Sequence, residues 1–398
     1  MEMGSFGQPC ISRHSVMIHD RGGKKRINQL IDVTQVKWGR TISDQVVAQI
    51  TIAGKKSCEA QLKVLNDIEA MRHEIVIFRG ADRVFEGPVL RVRWFSNRVV
   101  IMVKDVSQYL KGTSLSRDWP RPESGVQELM TDRMEEIINW ELTVPYQMEV
   151  GTSAVPELVT VPRWETLDPP ANVLDHLEVR RSTTLYTTSA TLAFEMTLLD
   201  HLNDRARSAL NWTTVGRKIL IWDSNQLLGQ TRRLSDADFY GEIEVYTDGS
   251  DFSSINHLSA QRDDEAGPQN PGVTQGVGHA GRADPYRGVW EYIGTSQTEE
   301  GSDQPTQAEL NSQARRIDRA RRELPLVMKV PSSSGLRLSK DLGIMQLVPG
   351  MVMPVSATFN LREVAQDQLL ESVTVEETPK GETIQVTLQP AGPVLEVV

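Results

Sequence analysis

The chain has little cysteine, no long apolar run and no excess of positive charge, and each shortage removes a class of function. Cys10 and Cys58 are the only 2 cysteines in 398 residues. They cannot build a disulfide framework or, without histidines close by, a thiolate zinc site, so folding in a reducing cytoplasm is expected. No stretch reaches the roughly 18 apolar residues that a membrane span requires. The opening MEMGSFGQPCISRHS lacks the charged-then-apolar order of a signal peptide, so export by that route is not expected. With 43 Lys and Arg against 53 Asp and Glu the net charge is -10. That is the wrong sign for gripping a phosphate backbone, although a passive conduit for DNA is allowed.

Signatures of catalysis are missing too. There is no Walker loop, no Gly-x-Ser-x-Gly elbow and no His-Glu-x-x-His helix. Gly276-Val277-Gly278-His279-Ala280-Gly281 has the spacing of a dinucleotide-binding loop. No apolar strand precedes it, however, and Pro285 blocks the helix whose N-terminus would hold the pyrophosphate. The histidines at 14, 19, 73, 176, 201, 257 and 279 are scattered, with no close pair flanked by carboxylates, so neither metal nor cofactor is expected. Cys10 and His14 lie in a polar arm and read as ordinary arm residues. Asp263-Asp264 and Glu299-Glu300 read as solvated loop residues. Trp38, Trp94, Trp119, Trp164 and Trp290 sit in strand-like contexts, where core or interface roles outweigh stacking on sugars.

What is present is β-structure at both ends of a mixed α/β middle. The length suits two or three domains of roughly 150 residues each, and 8 tryptophans with long alternating segments argue against disorder. Strands are expected at 15–18, 30–38, 46–52 and 74–78. A helix capped by Ser57 should close over one end of a small barrel or curved sheet. Beyond a linker from Thr113, a helix capped near Ser124 buries Val126, Met130, Ile137 and Ile138; a second runs over 192–210, and a strand over 218–222. Further strands are expected at 239–246, 289–293, 326–330, 352–359, 370–376 and 383–388, the last two joined by a turn at Lys380-Gly381. A helix over 306–323 turns Leu310, Ala314 and Ile317 inward. Its Arg315, Arg316, Arg319, Arg321 and Arg322 read as a solvated face or a dock for an acidic partner. The Gly-, Pro- and Asp-rich stretch 261–284 reads as a mobile loop. The expected division is 1–113, an N-terminal β-barrel domain with an arm; 114–235, mixed α/β; and 236–398, a second β-rich domain.

The most informative stretch is VFEGPVLRVRWFSNRVVIMVKDVSQY, residues 84–109. Leu90, Val92 and Trp94 alternate with Val89, Arg91, Arg93 and Phe95, and Val99, Ile101 and Val103 resume the pattern after Ser96-Asn97, which reads as a β-hairpin. Gly87-Pro88 suits a strand entered through a bulge or along an edge. With Trp38-Gly39-Arg40 and Ile42-Ser43-Asp44 upstream, Glu74 to Gly80, Val84 to Val89, and Lys104-Asp105-Val106-Ser107-Gln108-Tyr109-Leu110, this order of words resembles the N-terminal part of the minor tail, or tail-hub, proteins of long-tailed actinobacterial phages. Leu347-Val348-Pro349-Gly350 and Glu382 to Leu388 extend the resemblance. It covers roughly the first 115 and last 75 residues.

The resemblance implies a structural virion protein at the tail tip or baseplate. Three copies with two hub-type β-barrel domains each would form a pseudo-hexameric ring. That hub would join the distal tail protein ring to tip or fibre proteins, around a channel for the tape-measure protein and for DNA ejection. Trp38, Arg40, Gly87, Pro88, Trp94, Asp105, Tyr109, Pro349 and Gly350 are the motif residues it singles out. Arg91 and Arg93 are candidates for the interface or the channel wall. Some tail-hub proteins carry a peptidoglycan-cleaving domain behind the barrels. Here Val398 follows the last β-module directly, so no enzymatic activity is expected. The competing expectation is a receptor-binding or cell-wall glycan-binding tail-tip protein.

Overall fold

A computed structural model of the chain describes residues 11–391 apart from 55–58, 121–127, 153–154, 172–176, 182–184, 187–189, 207–209, 225, 248, 251, 261–275, 297–306, 323–325 and 360. Two compact units form: Met1–Glu244 with Lys329–Gln389, and Val245–Met328 with Pro390–Val398. This partition runs along different lines from the three successive segments expected, because strands from both ends of the chain enter one sheet.

The first unit begins with β1 (His14–His19), β2 (Arg26–Leu30), β3 (Val33–Thr41), β4 (Val47–Ala53) and helix α1 (Glu59–Asn66). It continues with β5 (Glu74–Arg79), β6 (Asp82–Trp94), β7 (Arg98–Lys104) and the short α2 (Gln108–Lys111). Alternation explains the sides. Ala48, Ile50 and Ile52 of β4 and Val99, Ile101 and Val103 of β7 are buried, as period-two spacing demands of a sheet with one covered face. The expected hairpin is present and closes tightly, the Phe95 amide donating to the Arg98 carbonyl at 2.9 Å across Ser96-Asn97.

β6 serves two partners in turn. Its first half pairs with β5 as far as Glu74 opposite Pro88, and its second half pairs with β7. Between Val89 and Arg91 the ladder skips Leu90, a bulge that shifts the alternation by one. Val89 therefore joins the buried face with Val103, opposite to the face expected from strict alternation, while Arg91 and Arg93 stay exposed.

The middle of the unit contains β8 (Glu128–Leu129), α3 (Met130–Thr143), β9 (Tyr146–Thr152), β10 (Val155–Val161), β11 (Leu177–Arg180) and β12 (Leu185–Tyr186). After these come α4 (Leu198–Ala206), β13 (Leu210–Val215) and β14 (Lys218–Asp223). Met130, Met134, Ile137, Ile138 and Leu142 of α3 pack with Leu198, Leu199 and Leu202 of α4 and with Trp119, Trp212, Ile219 and Ile221 in one core. α4 is shorter than the expected 192–210. The Thr197 hydroxyl caps it by accepting the Asp200 amide at 3.2 Å, and Thr191 upstream is held extended by a bridge to Trp119.

β15 (Phe239–Tyr240) and β16 (Glu244–Thr247) lead toward the second unit, in which β17 (Ile255–Ala260) pairs with β18 (Val277–Gly281) and β19 (Glu291–Ser296). Helix α5 (Gln307–Arg322) buries Leu310 and Ala314 on this sheet. The expected mobile loop 261–284 is thus corrected at its C-terminal end, where residues 277–281 form a strand; 261–275 lie outside the described residues. The glycines of the dinucleotide-like stretch are spacers for packing. A Cβ on Gly278 would sit 2.3 Å from the Leu310 carbonyl of α5.

β20 (Leu326–Lys329) pairs with β16, and the chain then forms β21 (Gly335–Leu336), β22 (Val352–Phe359), β23 (Arg362–Thr378) and β24 (Gly381–Pro390). β23 pairs with β22 through its first half and with β3 through its second, Val373 standing opposite Arg40. The principal sheet accordingly runs β2-β1-β5-β6-β7-β4-β3-β23-β22, with β24 on β23. Among the described residues it is open, and no closed barrel forms, which corrects the barrel expected at each end. Where β1 comes near β23, a side chain takes the place of a ladder: the Glu377 carboxylate accepts the amides of Ser12, Arg13 and His14 at 2.8 to 2.9 Å.

Candidate functional site

Three groupings in the first unit concentrate the unusual chemistry. The first is a buried ionic cluster. The turn between β13 and β14 projects Arg217, whose Nη1 donates to Glu74 on β5 at 2.6 Å and to Glu86 on β6 at 2.5 Å. The Tyr109 hydroxyl donates to Glu74, the Gly22 amide donates to the same carboxylate at 2.9 Å, and Arg83 pairs with Glu86. All three ions of the centre are buried. Burial pushes the Glu86 carboxyl up to about 7, opposed by Arg217 and reinforced by the neighbouring Glu74. Burial and the Glu74 charge push the Tyr109 hydroxyl up, keeping it a neutral donor. The mixed middle is thereby fastened to the principal sheet by charge as well as by apolar contact.

The second grouping joins the two ends of the chain. Arg40 is 1% exposed, and its guanidinium donates to three backbone carbonyls: Ile344 and Leu347 at 3.0 Å and Val84 at 3.2 Å. Burial lowers its pKa to about 9. Next to it, Pro349 and Gly350 are buried, and Gly350 adopts φ +92° with a would-be Cβ 2.4 Å from the Trp222 ring. Trp38, Arg40, Pro349 and Gly350 therefore lie in the same part of the unit. Gly87 meets the same constraint on β6, since a Cβ there would lie 1.9 Å from the Lys104 carbonyl oxygen. Asp105, fully buried, accepts the amides of Val46 at 2.6 Å and Ser107 at 3.0 Å, and burial raises its pKa.

Trp38, Arg40, Gly87, Pro88, Asp105, Tyr109, Pro349 and Gly350 are all buried. Trp94 is the exception: it is 50% exposed, which removes the core role from the two, core or interface, expected of it. His14, read as an arm residue, is instead buried in β1 and bonded to Glu377 at 2.7 Å. His257 and His279 stand opposite each other across β17 and β18, Nδ1 to Nδ1 at 2.8 Å, so the histidines are not all scattered. Among the described residues no group of three potential ligands could hold a metal. In the sequence Arg217 and Glu377 carry no signal, and Glu74 and Glu86 stand only within longer words, with no role of their own. The only signal available was charge at inward positions of apolar strands, as in Glu74 before Ile75-Val76-Ile77.

The third grouping is exposed. The tip of the β6–β7 hairpin presents Arg91, Arg93, Trp94, Phe95 and Arg98, the Arg93 and Arg98 guanidinium groups lying 5.3 and 4.7 Å from the Phe95 ring. β9 and β10 form a separate two-stranded ribbon that no third strand joins among the described residues. Its root is held by Arg163, which pairs with Glu141 and lies over the Tyr146 ring at 4.5 Å. Away from the root Met148, Leu158 and Val159 are exposed. A cavity of about 450 Å3 opens near Arg217, walled by Val215, Leu220, Leu228, Val348 and Met351 and rimmed by Arg83, Arg180 and Lys218.

No family model matches the chain, and no curated protein matches it in sequence. Its fold is similar to that of solved tail proteins. The 43 kDa tail protein of prophage MuSo2 from Shewanella oneidensis aligns over 94% of this chain and 98% of its own, with TM-score 0.56 at 12% identity. A tail protein from Neisseria meningitidis aligns over 96% and 98%, with TM-score 0.53 at 10% identity. The prophage tail protein gp18 from Listeria monocytogenes aligns over 95% of each chain, with TM-score 0.52 at 8% identity. At these identities the likeness is one of fold.

Proposed function

We propose that this chain is a structural phage-tail protein of the virion: a tail hub at the distal end of a long-tailed phage. The observation that carries the reading is the likeness of fold to three tail proteins over at least 94% of this chain and 95% of each of theirs. The buried charges support it, because Arg40 bonds backbone carbonyls, Asp105 and Glu377 bond backbone amides, and Arg217 bonds Glu74 and Glu86, as in a scaffold. In this reading three copies form a ring between the distal tail protein ring and the tip or fibre proteins. The tape-measure protein and DNA pass through without specific binding, the net charge of -10 keeping the genome from adhering. The chain folds in the host cytoplasm, joins the tail tip or baseplate and performs no catalysis.

Cryo-electron microscopy of intact particles tests the assignment. Three copies about the tail axis are expected; six copies, or copies confined to the periphery, would overturn it. One observation favours a second reading, a glycan-binding tail-tip protein: Tyr286, Trp290 and Ile293 of the second unit are exposed, and aromatic rings of that kind stack on sugars. Retention of the purified protein on host cell walls would support that reading.

A further inference from the structure

The β9–β10 ribbon is anomalous. Two strands joined only to each other are marginally stable in water, and this pair has neither a third strand nor a covering helix among the described residues. Its pairing assigns its faces. Met148 opposes Val159 and Val150 opposes Glu157, so one face carries Met148, Val150 and Val159, with Glu157 beside them. Glu149 and Leu158 share the other face. Leu158 is 69% exposed. From Tyr146 to Val161 the sequence contains two glutamates and no lysine or arginine. The ribbon is apolar, acidic and uncovered, with both lateral edges open.

The β6–β7 hairpin tip has the complementary character. Beyond Val89 the outer edge of β6 has no partner strand among the described residues, because β5 ends its pairing at Pro88. From Val89 to Val99 there are three arginines and no acidic residue. Arg91 and Arg93 lie on the solvent face beside Phe95, and Trp94 projects half-exposed from the other. An open strand edge with apolar and basic side chains is a template for an added strand or ribbon.

The geometry points to a contact between copies of this chain, in which the β9–β10 ribbon of one copy lies along the free β6 edge of the next, so that the ribbon face bearing Glu149 and Leu158 continues the face bearing Arg91, Arg93 and Arg98, and the face bearing Met148 and Val159 continues that of Trp94. The two surfaces are different parts of one subunit, so the contact is heterologous and repeats from copy to copy until a ring closes. It deepens the hub reading and takes from it only the number of copies. Opposed charge supplies register and approach; Met148, Val159, Leu158, Trp94 and Phe95 supply the apolar area that neither surface buries alone.

Charge exchange tests the contact. All five charged residues are exposed, so reversal leaves the fold intact, which circular dichroism and an unchanged unfolding midpoint verify. Sedimentation of the full chain should give a concentration-dependent oligomer. Glu149→Arg with Glu157→Arg should weaken association at least tenfold, and Arg91→Glu with Arg93→Glu should do the same. An equimolar mixture of the two reversed proteins should associate with each other more tightly than either does alone, because reversed ribbon then meets reversed hairpin and native ribbon meets native hairpin. A chain that stays monomeric at all concentrations, or an oligomer indifferent to both reversals, would overturn the inference. Copies found on the tail axis but joined through other surfaces would leave the hub reading standing without it. Reversal-sensitive oligomers from a protein absent from the tail axis would do the opposite.

Discussion

The indole N–H of Trp38 donates to Nε2 of His14 at 3.1 Å, while Nδ1 of the same imidazole faces Glu377 at 2.7 Å. A neutral ring protonated on Nδ1 satisfies both contacts; an imidazolium would set two donors against each other at Nε2. Burial lowers the His14 pKa from the ordinary 6.5, against the raising influence of Glu377 and Glu382. Below that value the unfolded chain takes a proton that the folded chain refuses, so stability declines as pH falls through 6.5 toward the lowered folded value. Followed from pH 8 to pH 5, the unfolding midpoint of the parent protein should drop relative to that of His14→Gln. A profile for His14→Gln parallel to that of the parent protein would contradict the assignment.

Arg217 is expected to be among the most costly residues of the first unit to remove. Arg217→Met leaves Glu74 buried without the cation that pairs with it and Glu86 with Arg83 alone, a loss of about 3 to 5 kcal/mol by analogy with other broken buried pairs. Replacing Glu86 alone by Gln should cost less, because burial has already raised its pKa. Urea unfolding of the two variants checks the order.

Glu86 also predicts a slope opposite in sign to that of His14. Its folded pKa, about 7, lies above the ordinary 4.5, so between these values the unfolded chain releases its proton first and stability falls as pH rises. The Glu86→Gln variant should lose that component. The difference in unfolding free energy between variant and parent protein, measured across pH 4.5 to 7, is the readout; a difference constant across that window would refute it.

Gly87→Val and Gly350→Ala should both yield little soluble protein. The first places a side chain against the Lys104 carbonyl, and the second forces a residue with Cβ into φ +92° against the Trp222 ring. Gly249→Ala, where the space for a Cβ is open, serves as the expression control.

Trp94→Asp, by contrast, should fold. The ring is half-exposed at the end of a hairpin, so the change in stability should stay within about 1 kcal/mol, while self-association weakens. Parallel measurements of unfolding midpoint and sedimentation separate these effects.

Local features of the fold were legible where a short-range pattern was sufficient. Val99, Ile101 and Val103 declared their strand, and Leu310 and Ala314 their helix face, because periods of two and 3.6 are local properties. The bulge at Leu90 was hidden, although Gly87-Pro88 hinted at it, and it carried Val89 to the other face. Pairing was not legible: nothing near Arg40 announces Val373, and nothing near His14 announces Glu377. Whether Trp94 would be core or surface was not legible, because its exposure depends on where β5 stops, a property of another strand. The buried centre at Arg217 was hidden for a related reason, as its ions come from a turn and two strands far apart in the chain.

The Glu377 carboxylate that takes three amides of the first strand comes 363 residues after His14. At a synthesis rate of roughly 5–20 residues per second, roughly 20 to 70 s separate the emergence of β1 from that of its side-chain partner. Through that interval β3 too lacks β23, and the nascent chain presents unfilled strand edges to every other nascent copy on the same message. A premature stop anywhere before residue 362 would make that condition permanent. Fragments lacking β23 and β24 should therefore be recovered bound to chaperones or as inclusion bodies, and the last tenth of the chain sets when the first tenth finishes folding.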